Sequence, residues 1–146
     1  MAKRFTDTTI WEEDWFFELS PEYKLFWFYI KDNCDYAGIW KPKMRAFKSA
    51  TDIEIDLDTV FKLLNTDKQR IRKLSNGHWL IEDFFFFQYG KSSRSINLAN
   101  RVHRSIFNIY EKNKIPVSSI NGIDIVITEN GEKFNVLEYE RGLYGV

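Results

Sequence analysis

Cysteine, histidine and proline are scarce in this chain: one, two and three residues in 146. The lone Cys34 makes no intrachain disulfide, and no Cys or Cys/His spacing marks a zinc site. The longest unbroken apolar run, Leu25 to Ile30, falls far below the ~20 residues that span a bilayer, so no membrane partner is expected. The opening Met1-Ala2-Lys3-Arg4-Phe5-Thr6 lacks the apolar region of a signal peptide. Together these absences predict a soluble protein of a reducing, cytoplasmic setting. Net charge is also absent, with 21 Lys+Arg against 21 Asp+Glu. That excludes a generic polybasic nucleic-acid binder unless the charge is segregated along the chain.

Catalytic signatures are equally sparse. The seven glycines are scattered and form no phosphate-cradling loop, and no Ser or Cys nucleophile motif occurs. His78 and His103 form no His-x-His pair to hold the metal of a nicking nuclease, so Tyr110 reads as a core residue rather than a nucleophile. Asp52-x-Glu54-x-Asp56-x-Asp58 has calcium-loop spacing, but Leu57 occupies the sixth position and Leu63 the twelfth, where Gly and Glu are required. The expectation is a non-enzyme with no metal and no cofactor. His103, beside Arg104, reads either as a phosphate contact or as a partly buried histidine.

What is present is apolar and aromatic. Hydrophobic residues make up 44% and aromatics 17%, the latter about twice the share of an ordinary globular chain. Trp15, Phe26, Phe28, Phe47, Phe61, Phe84 and Phe86 sit at core periodicity. Trp40, beside Lys41, and Trp79 are the candidates for exposed rings on which bases stack, with packing beneath a sheet the weightier reading.

The charge is indeed segregated. Residues 41–48 carry Lys41, Lys43, Arg45 and Lys48 with no acid, and residues 68–73 carry Lys68, Arg70, Arg72 and Lys73 with none. Residues 91–114 hold Lys91, Arg94, Arg101, Arg104, Lys112 and Lys114 against Glu111 alone. Residues 1–40, 49–67, 74–90 and 115–146 are net acidic. Ordinary solvated faces give the same pattern, so a fold is needed to interpret it.

Periodicity supplies the elements. Thr9-Ile10-Trp11-Glu12 has capping-box spacing and opens a short helix to about Leu19, with Trp11 and Trp15 on one face. Ser20-Pro21-Glu22 opens a second helix to about Asn33. Asp35 to Gly38 is a turn, Ile39-Trp40 a short strand, and Pro42 opens a third helix to about Ala50. Leu57, Val60, Phe61 and Leu64 mark an amphipathic fourth helix starting near Asp56 or Asp58. Arg70 to Leu74 and His78 to Glu82, joined by Asn76-Gly77, predict a β-hairpin running into Phe84 to Phe87. A long helix follows from Ser92 or Ser93 to about Asn113, and then a second hairpin of Ile123 to Ile127 and Phe134 to Tyr139.

This order predicts an α+β fold: a winged helix-turn-helix core with an N-terminal helix, a long C-terminal helix and a terminal β-hairpin. The expected divisions are 1–90, the winged-helix domain, 91–114, the basic helix, and 115–146, a hairpin appendage. In such folds one helix enters the major groove and the hairpin touches the backbone, which gives the basic blocks a role. Long cationic side chains supply phosphate contact. The candidate nucleic-acid contacts are therefore Lys41, Lys43, Arg45, Lys48, Lys62, Lys68, Arg70, Arg72, Lys73, Arg101 and Arg104. Against this, the presumed recognition helix exposes Asp58 and follows Asp52, Glu54 and Asp56, which repel phosphate. The alternative is a protein-interaction module or transcriptional regulator using the same fold. The apolar closing hairpin also offers an edge for pairing into a homodimer.

Three segments carry a family resemblance: Thr9-Ile10-Trp11-Glu12-Glu13-Asp14-Trp15-Phe16, Leu19-Ser20-Pro21-Glu22-Tyr23-Lys24-Leu25, and Cys34-Asp35-Tyr36-Ala37-Gly38-Ile39-Trp40. With Asn76-Gly77-His78-Trp79-Leu80-Ile81 and Phe87-Gln88-Tyr89-Gly90, the chain from about Arg4 to Asn113 resembles the N-terminal winged-helix domain of phage replisome-organizer and replication-initiation proteins. The resemblance implies binding of double-stranded origin DNA. It also implies assembly with replication proteins into a helicase-loading complex of a phage or mobile element.

Overall fold

The structure, a computed structural model, describes residues 3–90 and 93–144. It is mixed α+β and divides into two compact units, Met1–Ile81 and Glu82–Val146. The sequence places the boundary after residue 90 and separates 91–114 from 115–146. The chain instead breaks just after the first hairpin, because residues 82–144 form a sheet and core of their own.

In the first unit, Asp7 starts the chain's first turn by accepting the Thr9 N–H at 2.9 Å, capping a 3-10 helix over Thr8–Glu12. The expected Thr9 capping box does not form, since the Thr9 hydroxyl donates to Asp7 at 2.6 Å. Extended backbone at Glu13 then breaks what the sequence suggested was one helix, leaving α1 (Asp14–Phe17) as a single turn. Pro21 sits in the first turn of α2 (Pro21–Asn33), which buries Phe26, Trp27 and Ile30. Arg4 closes the far end of α2, its guanidinium donating to the carbonyls of Lys31 at 2.9 Å, Asp32 at 2.6 Å and Cys34 at 2.7 Å, groups that a helix end leaves orphaned.

β1 (Ile39–Trp40) leads to α3 (Arg45–Thr51) and then to α4 (Leu57–Leu64), whose N-cap Asp56 accepts the Asp58 N–H at 3.1 Å. β2 (Ile71–Lys73) and β3 (Trp79–Ile81) follow, joined through Gly77 at φ +84°. The three strands form an antiparallel sheet in the order β1-β3-β2, with Trp40 and Lys73 both opposite Trp79. Phe26 of α2 is the hub beneath it. Its ring meets Trp40 at 5.5 Å and Phe47 of α3 at 5.7 Å edge-on, and Trp40 meets Trp79 at 5.2 Å.

In the second unit, Phe84 to Phe87 do not prolong the hairpin; the chain turns into a π-helical turn over Phe86–Gly90. The expected long helix is a strand and a shorter helix: β4 (Ser95–Asn97), then α5 (Arg101–Lys112), whose N-cap Asn100 accepts from the N–H groups of Val102 and His103. The Ser92 start lies outside the described residues. β5 (Ile125–Ile127) and β6 (Lys133–Asn135) form the second hairpin, but the chain continues as α6 (Val136–Tyr144) rather than as strand. The sheet order is β4-β5-β6, with β4 parallel and β6 antiparallel to β5. Ile96, Ile106, Tyr110 and Val126 are buried in this unit's core.

Candidate functional site

The expected phosphate contacts divide by what holds them. Arg70 is not at the surface: only 7% of it is exposed. Its guanidinium lies 3.7 Å from the Trp15 ring centroid, donates to the Leu64 carbonyl at 3.1 Å and grips the Asp67 carboxylate. That grip holds the Asp67 carboxyl down to about 2. Arg70 is thus a structural bracket joining the end of α4 to the N-terminal segment, and its burial keeps it from the nucleic-acid contact expected of it.

Other cations are at the surface but already partnered. Lys48 on α3 forms an ion pair with Glu54, which holds that carboxyl below its usual range. Lys73 lies 3.6 Å from the Asp58 carboxylate and 4.6 Å over the Phe61 ring, so β2 is drawn against the outer side of α4. In the second unit Arg104 pairs with Glu129. Lys43, Arg45, Lys62 and Arg101 are exposed and their side chains hold no ion pair among the described residues. Lys41 is exposed, and its charge acts on Asp35. The Asp35 carboxyl is pushed up by burial and restrained by the N–H groups of Ile39 and Ala37. Lys68 is exposed and Arg72 half-buried.

The helix α4 presents Asp58, Thr59, Lys62 and Leu63 to solvent, with Lys62 one turn beyond Asp58. In the same unit, α3 carries Arg45 and Lys48 three residues apart on its exposed side. Such an array exchanges water and counter-ions for phosphate oxygens at its unpaired cations, and it opposes phosphate at Asp58. Trp40 and Trp79 are each 2% exposed, so they pack in the core and offer no face for stacking.

The remaining chemical candidates are held inside. Cys34 is buried, and burial pushes its thiol up to about 12, far from a reactive thiolate. Tyr110 is buried. His103 is half-buried against Phe85 and Tyr89, and its Nδ1 accepts the Asn97 N–H at 2.9 Å. Burial lowers its pKa. Among the described residues, no three His, Cys, Asp or Glu side chains gather into a group able to hold a metal ion, and no helix is long and apolar enough to cross a membrane.

One surface feature escaped the sequence reading. Trp11 and Trp15 were expected on one helical face, but the break at Glu13 separates them. Trp15 carries Arg70, whereas Trp11 is 63% exposed. The only signal in the sequence was the run of acids around these rings.

Comparison with protein-family models, with curated proteins and with solved structures gives no match.

Proposed function

We propose that the first unit is a winged helix-turn-helix that binds double-stranded DNA through its phosphates. On this reading α4 is the groove-facing helix, the β2–β3 hairpin is the wing, and the chain is a cytoplasmic, non-enzymatic protein of phage or mobile-element replication initiation. The observation that carries the reading is local. Lys73 on β2 reaches across to Asp58 and Phe61 of α4, so this hairpin strand lies beside the exposed side of the helix that bears Lys62. The order helix, short strand, two helices and antiparallel hairpin, with a three-stranded sheet, supports this reading.

The contact set is narrower than the charge blocks suggested. Lys41, Lys43, Arg45, Lys62, Lys68 and Arg72 remain its members in this unit. Fluorescence anisotropy with a mixed-sequence duplex over a salt series tests it. Arg45→Gln and Lys62→Gln should each weaken binding uniformly across sequences and reduce the salt slope by about one. No detectable binding at low salt refutes the reading.

A second reading, a protein-interaction module on the same fold, is favoured by one observation: Lys48 and Lys73 are each held by a carboxylate. A duplex must displace those carboxylates, whereas a protein partner need not.

A further inference from the structure

We infer that the outer face of the N-terminal helices, anchored on Trp11 and Phe17, docks a cationic amphipathic segment of a partner protein. The inference is independent of DNA binding by the same unit. Trp11 is 63% and Phe17 73% exposed, unusual for such large rings in one short stretch. Trp11 is not a loose side chain. Its ring is braced by Phe16 at 5.2 Å, edge-on, and by Phe28 at 6.0 Å, leaving the rest of the indole bare. The Lys24 ammonium bridges to the second anchor, 5.8 Å from the Phe16 ring and 5.9 Å from the Phe17 ring. A tryptophan already fixed before binding loses little freedom when a partner covers it, which is what an interface anchor needs.

Charge selects the occupant. Residues 8–33 contain six carboxylates and two ammonium groups. Both ammonium groups are satisfied within the face. Lys24 donates to the Phe17 carbonyl at 3.2 Å, and Lys31 lies 5.3 Å from the rings of both Trp27 and Phe28. Glu12, Asp14, Glu18 and Glu22, by contrast, hold no ion pair among the described residues. Glu12 directly follows Trp11 and Glu18 directly follows Phe17 in the chain, so both anchors lie in a stretch rich in unpaired carboxylates. This field repels nucleic acid and acidic peptides. It fits apolar side chains flanked by Lys or Arg.

The full chain is titrated against a labelled amphipathic peptide of leucine and lysine, and against its leucine and glutamate counterpart, by anisotropy. The inference expects saturable binding of the lysine peptide only, weakened by rising salt. It also expects a loss of about tenfold or more with Phe17→Ser and with Trp11→Ala. Because Phe17 is so exposed, Phe17→Ser keeps the fold, checked by an unchanged circular dichroism spectrum, and the test survives if Trp11→Ala does not fold. Equal binding of both peptides, binding of neither, or binding that Phe17→Ser leaves unchanged overturns the inference. So does a dimer of the chain that Phe17→Ser abolishes, since the occupant would then be a second copy.

Discussion

Gly122→Ala is expected to destabilise the second unit selectively. Gly122 has φ +91°, a conformation that L side chains rarely adopt. A Cβ placed there would lie 2.7 Å from the Phe86 Cβ and 2.8 Å from the Phe86 Cα, so the obstruction is backbone of the π-helical turn rather than a side chain that can swing away. The turn cannot retreat easily, because Gly90 at its end already faces the Gly122 carbonyl and Asn121 holds Asp83 at 2.7 Å. Backbone strain at positive φ costs about 1–2 kcal/mol. Reduced freedom of the unfolded chain returns about 0.4–1 kcal/mol. Overpacking against a fixed neighbour adds about 1–3 kcal/mol. The net expectation is a loss of about 1–4.5 kcal/mol.

Gly131→Ala supplies the control. Gly131 has nearly the same φ, +85°, but nothing within 4 Å of its Cβ position, so it should lose only the strain, about 1 kcal/mol or less. The assay is native-state hydrogen exchange on the paired amides of β4 and β5. All five tryptophans lie within the first unit, so their fluorescence in the same urea titrations reports whether that unit is spared. If Gly122→Ala falls within about 0.5 kcal/mol of Gly131→Ala, the close approach to Phe86 is not what requires glycine, and the reasoning fails.

Two further expectations concern Arg70 and His103. Arg70→Ala should lower the urea stability of the first unit by about 2–4 kcal/mol, because it strips a buried guanidinium from Trp15 and leaves the Leu64 carbonyl unsatisfied; an unchanged midpoint refutes the bracket role. His103 should make the second unit acid-sensitive. Its folded pKa is depressed by burial and its Nδ1 must stay unprotonated to accept from Asn97, so its stabilisation is complete above the ordinary histidine value near ~6.5 and is lost as pH falls through the lower folded value. The stability difference between about pH 7 and pH 5 should shrink in His103→Ala, and an unaltered difference counts against the assignment.

Local chemistry was legible wherever an element depends on near neighbours. Pro21 in the first turn of α2, Asp56 at the start of α4 and Gly77 in the β2–β3 turn act as their residue types predict. What escaped depends on distant partners. Ser95-Ile96-Asn97 alternates like a strand, yet from sequence it merges with the helix after it, because its parallel partner Ile125–Ile127 lies thirty residues on. Asn100, an N-cap residue type, was the available signal for the true helix start. At the other end, Phe134 begins as strand, but Asn135 accepts the Leu137 N–H at 2.9 Å and turns the chain into α6. Arg70 looked like a solvated strand cation by alternation, since nothing nearby announces that Trp15 will cover it.

The same distinction sharpens what the neutral composition means. Nine cations of the first unit were candidates for phosphate, yet counterion release counts only those free to exchange a counter-ion for a phosphate. Arg70 is inside the core, and Lys48 and Lys73 must first leave Glu54 and Asp58, carboxylates that gain nothing from an approaching duplex. Lys41, Lys43, Arg45 and Lys62 hold no ion pair among the described residues, and these four set a salt slope of about −4 for the unit's unpaired cations. A steeper slope means that the duplex pulls the paired lysines away from their carboxylates. A slope near zero with binding retained means that phosphate is not the ligand, and the acidic pairs then belong to a surface built for protein. Glu54→Gln with Asp58→Asn separates these cases: it should strengthen DNA binding and steepen the slope if Lys48 and Lys73 are held in reserve, and leave both unchanged if they never meet a phosphate.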